Sequence, residues 1–178
     1  MSALETTLSR LLADDYLDGM KECSLEEVRA MRSECQDAET AVSYLRRMAQ
    51  GRLDIVHAYL DHLEDGSMTD LPSLVEHLPS IMAGPPRPAG PGRLPSQMAP
   101  DMEGDFAKEV DDILDAERIP QLPSMDRNQL LQVAEELSAI ENRTSHERRA
   151  LHERIDKLQA EIVSRYKSGE ATVEGLLA

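Results

Sequence analysis

Tryptophan is absent, phenylalanine occurs once (Phe106), and aromatics make up only 3% of the 178 residues. So little aromatic bulk argues against a thick globular core. Cysteine is almost as scarce: Cys23 and Cys35 are the only two. Twelve positions apart on what reads as one helix, they cannot pair or form a tetrahedral zinc site, and they read as reduced packing residues. No apolar run approaches the roughly 18 residues of a membrane span, and no basic-then-apolar leader opens the chain. No membrane contact and a cytoplasmic location are the expectation. Positive charge is also short, with 19 Lys and Arg against 34 Asp and Glu, a net charge of -15. Such a surface repels a phosphate backbone, which argues against direct DNA binding. It either favours a basic protein partner or serves solubility alone.

What is present is helical. The chain is 30% charged and rich in Glu, Arg, Leu and Ala, a composition suited to long helices packed along narrow seams. Residues 83–100 hold six Pro and three Gly but no Asp, Glu or Lys, and read as a flexible linker. On either side a long helix is predicted, Ser24 to about Glu64 and Asp126 to about Tyr166, each about 60 Å long at roughly 1.5 Å per residue. The first opens on Ser24-Leu25-Glu26-Glu27 and the second on Asp126-Arg127-Asn128-Gln129, both arranged as capping boxes.

In the first helix apolar positions recur at steps of three and four from Val28 through Val42 to Leu63, interrupted only at Arg52. That is a heptad seam for a partner helix. The second seam runs from Leu130 to Ile140 and resumes at Leu151, but nothing apolar lies between Glu141 and Arg149. The phase slips across this gap as a four-residue insertion would make it slip. The gap therefore faces water or something polar.

The fold expected is all-α: a long antiparallel two-helix coiled coil with short flanking amphipathic helices and a Pro/Gly-rich linker. The divisions are 1–23 (amphipathic segment), 24–66 (first long helix), 67–82 (short helical segment), 83–103 (linker), 104–125 (short helix and connector), 126–167 (second long helix) and 168–178 (tail). The flanking pieces, with Leu4, Leu8, Leu11 and Leu12, Leu71 to Leu78, and Phe106, Val110, Ile113 and Leu114, are too short to be stable alone. They either dock on the hairpin or await a partner's surface.

A shift of 102 residues superimposes the polar faces of the two long helices. Glu39, Ser43, Arg46, Arg47, Arg52 and Asp54 fall on Glu141, Ser145, Arg148, Arg149, Arg154 and Asp156, and the caps Ser24 and Asp126 coincide. The pattern is E-x3-S-x2-R-x3-x-x3-D, with Gln50 at the open position of the first copy and His152 in the second. At about 100° per residue the five side chains of each copy fall in a stripe about 80° wide.

Two such stripes on antiparallel helices suit a two-fold symmetric anionic ligand with hydrogen-bonding edges. Arg forks match phosphate oxygens or guanine O6 and N7, and carboxylates accept from guanine N1 and N2. Cyclic di-GMP meets these demands. The alternative is that both stripes are solvated ion-pair faces of a ligand-independent acidic coiled-coil adaptor or structural protein. No nucleophile and base pair, phosphate loop or metal-ligand spacing suggests an enzyme. His57, His62 and His77 lie outside the stripe, and His146 falls opposite Tyr44 rather than on a repeat position.

The doubled motif resembles that of the RsiG anti-sigma factors of actinobacteria, E-x3-S-x2-R-x3-Q-x3-D. Glu39, Ser43, Arg46, Gln50 and Asp54 match at all five positions, and Glu141, Ser145, Arg148 and Asp156 match in the second copy. His152 departs from the pattern where Gln would stand. The resemblance implies an antiparallel coiled coil that binds cyclic di-GMP through these ten residues, as a pair of intercalated molecules. It also implies that the liganded chain holds one sporulation sigma factor of the WhiG type away from RNA polymerase, without a metal.

Overall fold

In a computed structural model of the chain, described over residues 3–65 and 107–169, the elements are α1 (Ala3–Leu11), α2 (Leu25–Asp65), α3 (Lys108–Ile113), a 3-10 helix (Ile119–Ser124) and α4 (Arg127–Ser168). The fold is all-helical, and the two long helices α2 and α4 pack antiparallel. The expected short segment at 67–82, the linker at 83–103, Phe106 and all but the first residues of the tail lie outside the described residues.

Both long helices begin where their caps place them. Ser24 Oγ accepts from the Glu27 amide at 3.2 Å while the Ser24 amide donates to Glu27 Oε2 at 2.6 Å. Asp126 and Gln129 exchange the same two bonds, each 2.9 Å long. Donors that the first helical turn leaves without partners are thereby satisfied. α4 ends on Gly169, whose φ of +80° is open to glycine and strained for other residues. The cap at Ser24 corrects one expectation: Cys23 is not on the helix that carries Cys35. It lies on the connector before α2, partly exposed, while Cys35 is buried, and both thiols are free.

The described residues form two compact units. The first contains α1, its connector, α2 as far as Ser43 and α4 from Ser145 onward. The second contains α2 from Tyr44, α3, the 3-10 helix and α4 as far as Thr144. In the first unit Val28, Cys35, Ala38 and Val42 are buried with Leu151, Ile155, Leu158 and Ile162, and Leu4, Leu8 and Leu11 of α1 are buried as well. α1 therefore docks. Complete burial of a side chain such as Leu11 contributes about 2 kcal/mol.

Arg154 of α4 donates to the carbonyls of Leu12 and Ala13 just past the end of α1. Arg165, only 8% exposed, donates to the carbonyls of Met20, Lys21 and Cys23. A buried guanidinium needs this many acceptors, and a connector without regular structure has carbonyls to offer.

In the second unit one core joins Leu45, Ala49, Val56 and Tyr59 of α2 to Leu130, Val133, Leu137 and Ile140 of α4, closed by Val110, Leu114 and Leu122. The interruption of the α2 seam at Arg52 is explained here, because Arg52 pairs with Asp111 of α3. The gap in the α4 seam is filled by Thr144, completely buried, whose hydroxyl donates to the Ile140 carbonyl at 2.8 Å. Helix residues 102 positions apart also correspond outside the long helices: Leu8 and Val110 are both buried, one on α1 and the other on α3.

Candidate functional site

The division between the two units falls inside both motif copies, so each unit holds its own cluster of motif residues. In the first unit Arg148 Nε donates to Glu39 Oε1 at 2.9 Å and contacts Ser43 Oγ at 2.9 Å, and Ser43 Oγ donates to Glu39 Oε1 at 2.7 Å. His152 Nε2 stands 3.2 Å from the same Glu39 oxygen. In the second unit Arg46 Nη1 reaches Glu141 Oε1 at 3.1 Å and Gln50 Oε1 at 3.3 Å.

The two clusters repeat one arrangement. In each, the motif Arg of one copy reaches the motif Glu of the other, Arg148 to Glu39 and Arg46 to Glu141. Antiparallel helices whose motifs are centred on each other generate this crosswise pairing, and a parallel arrangement would instead bring Glu beside Glu. Neighbouring contacts in the first unit run in the same antiparallel sense, with Arg32 bonded to Gln159 and Arg29 to Tyr166.

Of the ten residues singled out in the sequence, Glu39, Ser43, Arg148 and His152 meet in the first unit, and Arg46, Gln50 and Glu141 meet in the second. Ser145 is partly buried, and Asp54 and Asp156 are both exposed. The substitution at the fourth motif position has a local consequence: Gln50 bonds the Arg of its own copy, whereas His152 turns to the carboxylate of the other copy.

The arginines differ in access. Arg46 has 20% of its side chain exposed against 42% for Arg148, and Arg46 Nε is buried with no hydrogen-bond partner among the described residues. Pairs this accessible are worth roughly 0.2–1 kcal/mol each. They orient the guanidinium forks, and breaking one costs little. Among the described residues no group of three or more His, Cys, Asp or Glu is placed to hold a metal, and no helix is long and apolar enough to cross a membrane. His57 and His146 are exposed.

Sequence reasoning gives Arg52, Arg154 and Arg165 no role. The first two lie on the repeat, which is a usable signal. Arg165 continues the seven-residue series Leu130, Leu137, Thr144, Leu151 and Leu158, which runs through the gap without the phase slip expected there because Thr144 holds the seam position, so its burial is signalled by position alone.

A family model described as RsiG-like matches residues 14–82 and 116–178 of the chain. No curated protein matches it.

Proposed function

The chain belongs to the RsiG-like family, a family of anti-sigma regulators, and from that premise we propose that it binds cyclic di-GMP at its two motif clusters. In the liganded state it withholds a WhiG-type sporulation sigma factor from RNA polymerase, one chain to one sigma factor. The observation that carries this reading is the crosswise pair in each unit, Arg148 with Glu39 and Arg46 with Glu141. The same fork and the same acceptor are offered twice, which suits two molecules of ligand per chain.

Each ligand molecule carries two phosphodiester anions and two guanines. The Arg46 and Arg148 forks suit phosphate oxygens or guanine O6 and N7. Glu39 and Glu141, released from their arginines, and the exposed Asp54 and Asp156 can accept from guanine N1 and N2. Adenine lacks that donor edge, so guanine is selected. Ser43, Ser145, Gln50 and His152 complete a polar shell that both donates and accepts.

Ligand acts in this reading as a co-repressor. It favours one arrangement of the motif-bearing helices, and sigma factor and ligand strengthen each other's binding by equal factors. A fall in ligand then releases the sigma factor. The second reading, an adaptor that needs no ligand, draws on the same ion pairs, since they already pair each of Arg46 and Arg148 with a carboxylate within the chain.

Calorimetry separates the two. Titration of the wild type with cyclic di-GMP, alone and with the sigma factor present, is expected to give saturable binding that Arg46→Ala with Arg148→Ala abolishes, with cyclic di-AMP inert. Absence of heat under both conditions would leave the ligand-independent adaptor.

A further inference from the structure

The two units differ in how they finish the packing beside their connectors. In the second unit Leu114 and Leu122, before α4, are completely buried, with Ile119 packed against the same core. Leu12 and Met20, the counterparts of Leu114 and Leu122 at 102 positions earlier in the first unit, are only partly buried, and Leu17 is partly buried like its counterpart Ile119. Leu17 and Met20 instead line a groove of about 670 Å³ beside α4. Its rim carries the exposed side chains of Asp14, Asp18 and Glu153 against the single Lys157. Gly19, at a φ of +73°, turns the connector between Asp18 and Met20. The floor includes Arg154, whose Nε is buried with no hydrogen-bond partner among the described residues.

We propose that this groove of the first unit docks a basic amphipathic segment of the sigma factor. An apolar side chain of that segment enters between Leu17 and Met20, and its Lys and Arg residues meet Asp14, Asp18 and Glu153. Charge decides the occupant: a rim with more negative than positive side chains on a chain of net charge -15 attracts a cationic segment and repels a second copy. The apolar pair gives the segment an anchor that a solvated charge face alone would lack. The inference rests on the anti-sigma role and not on the ligand.

The test compares three proteins for binding to the WhiG-type sigma factor with cyclic di-GMP in excess: the wild type, Asp14→Lys with Asp18→Lys, and a control with Glu135→Lys and Glu136→Lys. The control residues are exposed on α4 in the second unit, and both variants change the net charge equally. Circular dichroism checks that each variant folds. A milder variant, Leu17→Ser, tests the anchor without altering charge.

The groove variant is expected to lose about tenfold in affinity, with a flatter salt dependence, while the control loses much less. Equal losses in groove and control variants, or none in the groove variants, would overturn the groove while leaving the anti-sigma reading intact. A wild type that binds no sigma factor would overturn both. Self-association of the wild type that the groove variant abolishes would give the groove to a second copy and overturn the assignment.

Discussion

Cys35 and Cys23 differ in ways that a single side chain's surroundings decide. Cys35 is completely buried, with its Sγ 3.9 Å from the Tyr16 hydroxyl. Burial pushes its thiol pKa up, and the Tyr16 contact offsets only part of that. Burial also raises the Tyr16 hydroxyl, so both groups stay neutral at neutral pH. Thiolate is the reactive form, so iodoacetamide is expected to modify Cys23 in the native protein and to reach Cys35 only under unfolding conditions. Peptide mass spectrometry reads this directly, and equal labelling of both would contradict the docking of the connector on α2. Helical periodicity hides the contrast, because it runs both cysteines together on one helix. The Ser24 cap is the local signal that separates them, since it follows Cys23 directly and the helix starts only at Leu25.

At the scale of elements, the caps link sequence to stability. Hydrogen bonds from the Ser24 hydroxyl and backbone amide hold the Glu27 carboxyl below its usual value of 4.5. A depressed folded pKa means that the contribution of this cap is present above 4.5 and is lost as pH falls through the lower, folded value. Thermal melts from neutral pH downward are therefore expected to show a smaller acid loss in Glu27→Gln than in the wild type. Identical pH profiles would mean that the capping box contributes nothing to α2. Ser24→Ala, which removes the other half of the box, is expected to cost about 1 kcal/mol at neutral pH.

Both long helices are legible in the sequence because their signals are local: a capping pair three residues apart and an apolar seam at three and four residue steps. The docking of α1 and α3 is not, because it depends on contacts distant in sequence. Arg154 and Arg165 reach carbonyls of the connector, and Arg52 reaches Asp111. Periodicity reports which face of a helix is buried and is silent on which carbonyl will satisfy a buried guanidinium. Thr144 shows the same limit. By residue type it belongs to a polar gap, yet a hydroxyl that returns its hydrogen bond to Ile140 can occupy a seam position.

For the whole molecule, the duplication is what ties the candidate site to the fold. The shift of 102 residues brings out the ten candidate residues from the sequence alone, and the crosswise Arg and Glu pairs in the two units follow from that duplication folded antiparallel. The different partners of Gln50 and His152 cannot be read in the same way, because a side chain's choice between its own helix and the neighbouring one depends on distances that spacing leaves open. A net charge of -15 favours a basic partner, and the family supplies its kind, a sigma factor.

The central claim is that nucleotide at the duplicated motif controls sigma-factor binding. Affinity for the WhiG-type sigma factor should be measured with and without cyclic di-GMP, on the wild type and on Arg46→Ala with Arg148→Ala. The ligand is expected to tighten the wild-type complex by about tenfold or more and to leave the double variant unchanged. A wild-type affinity that does not respond to ligand would contradict the claim.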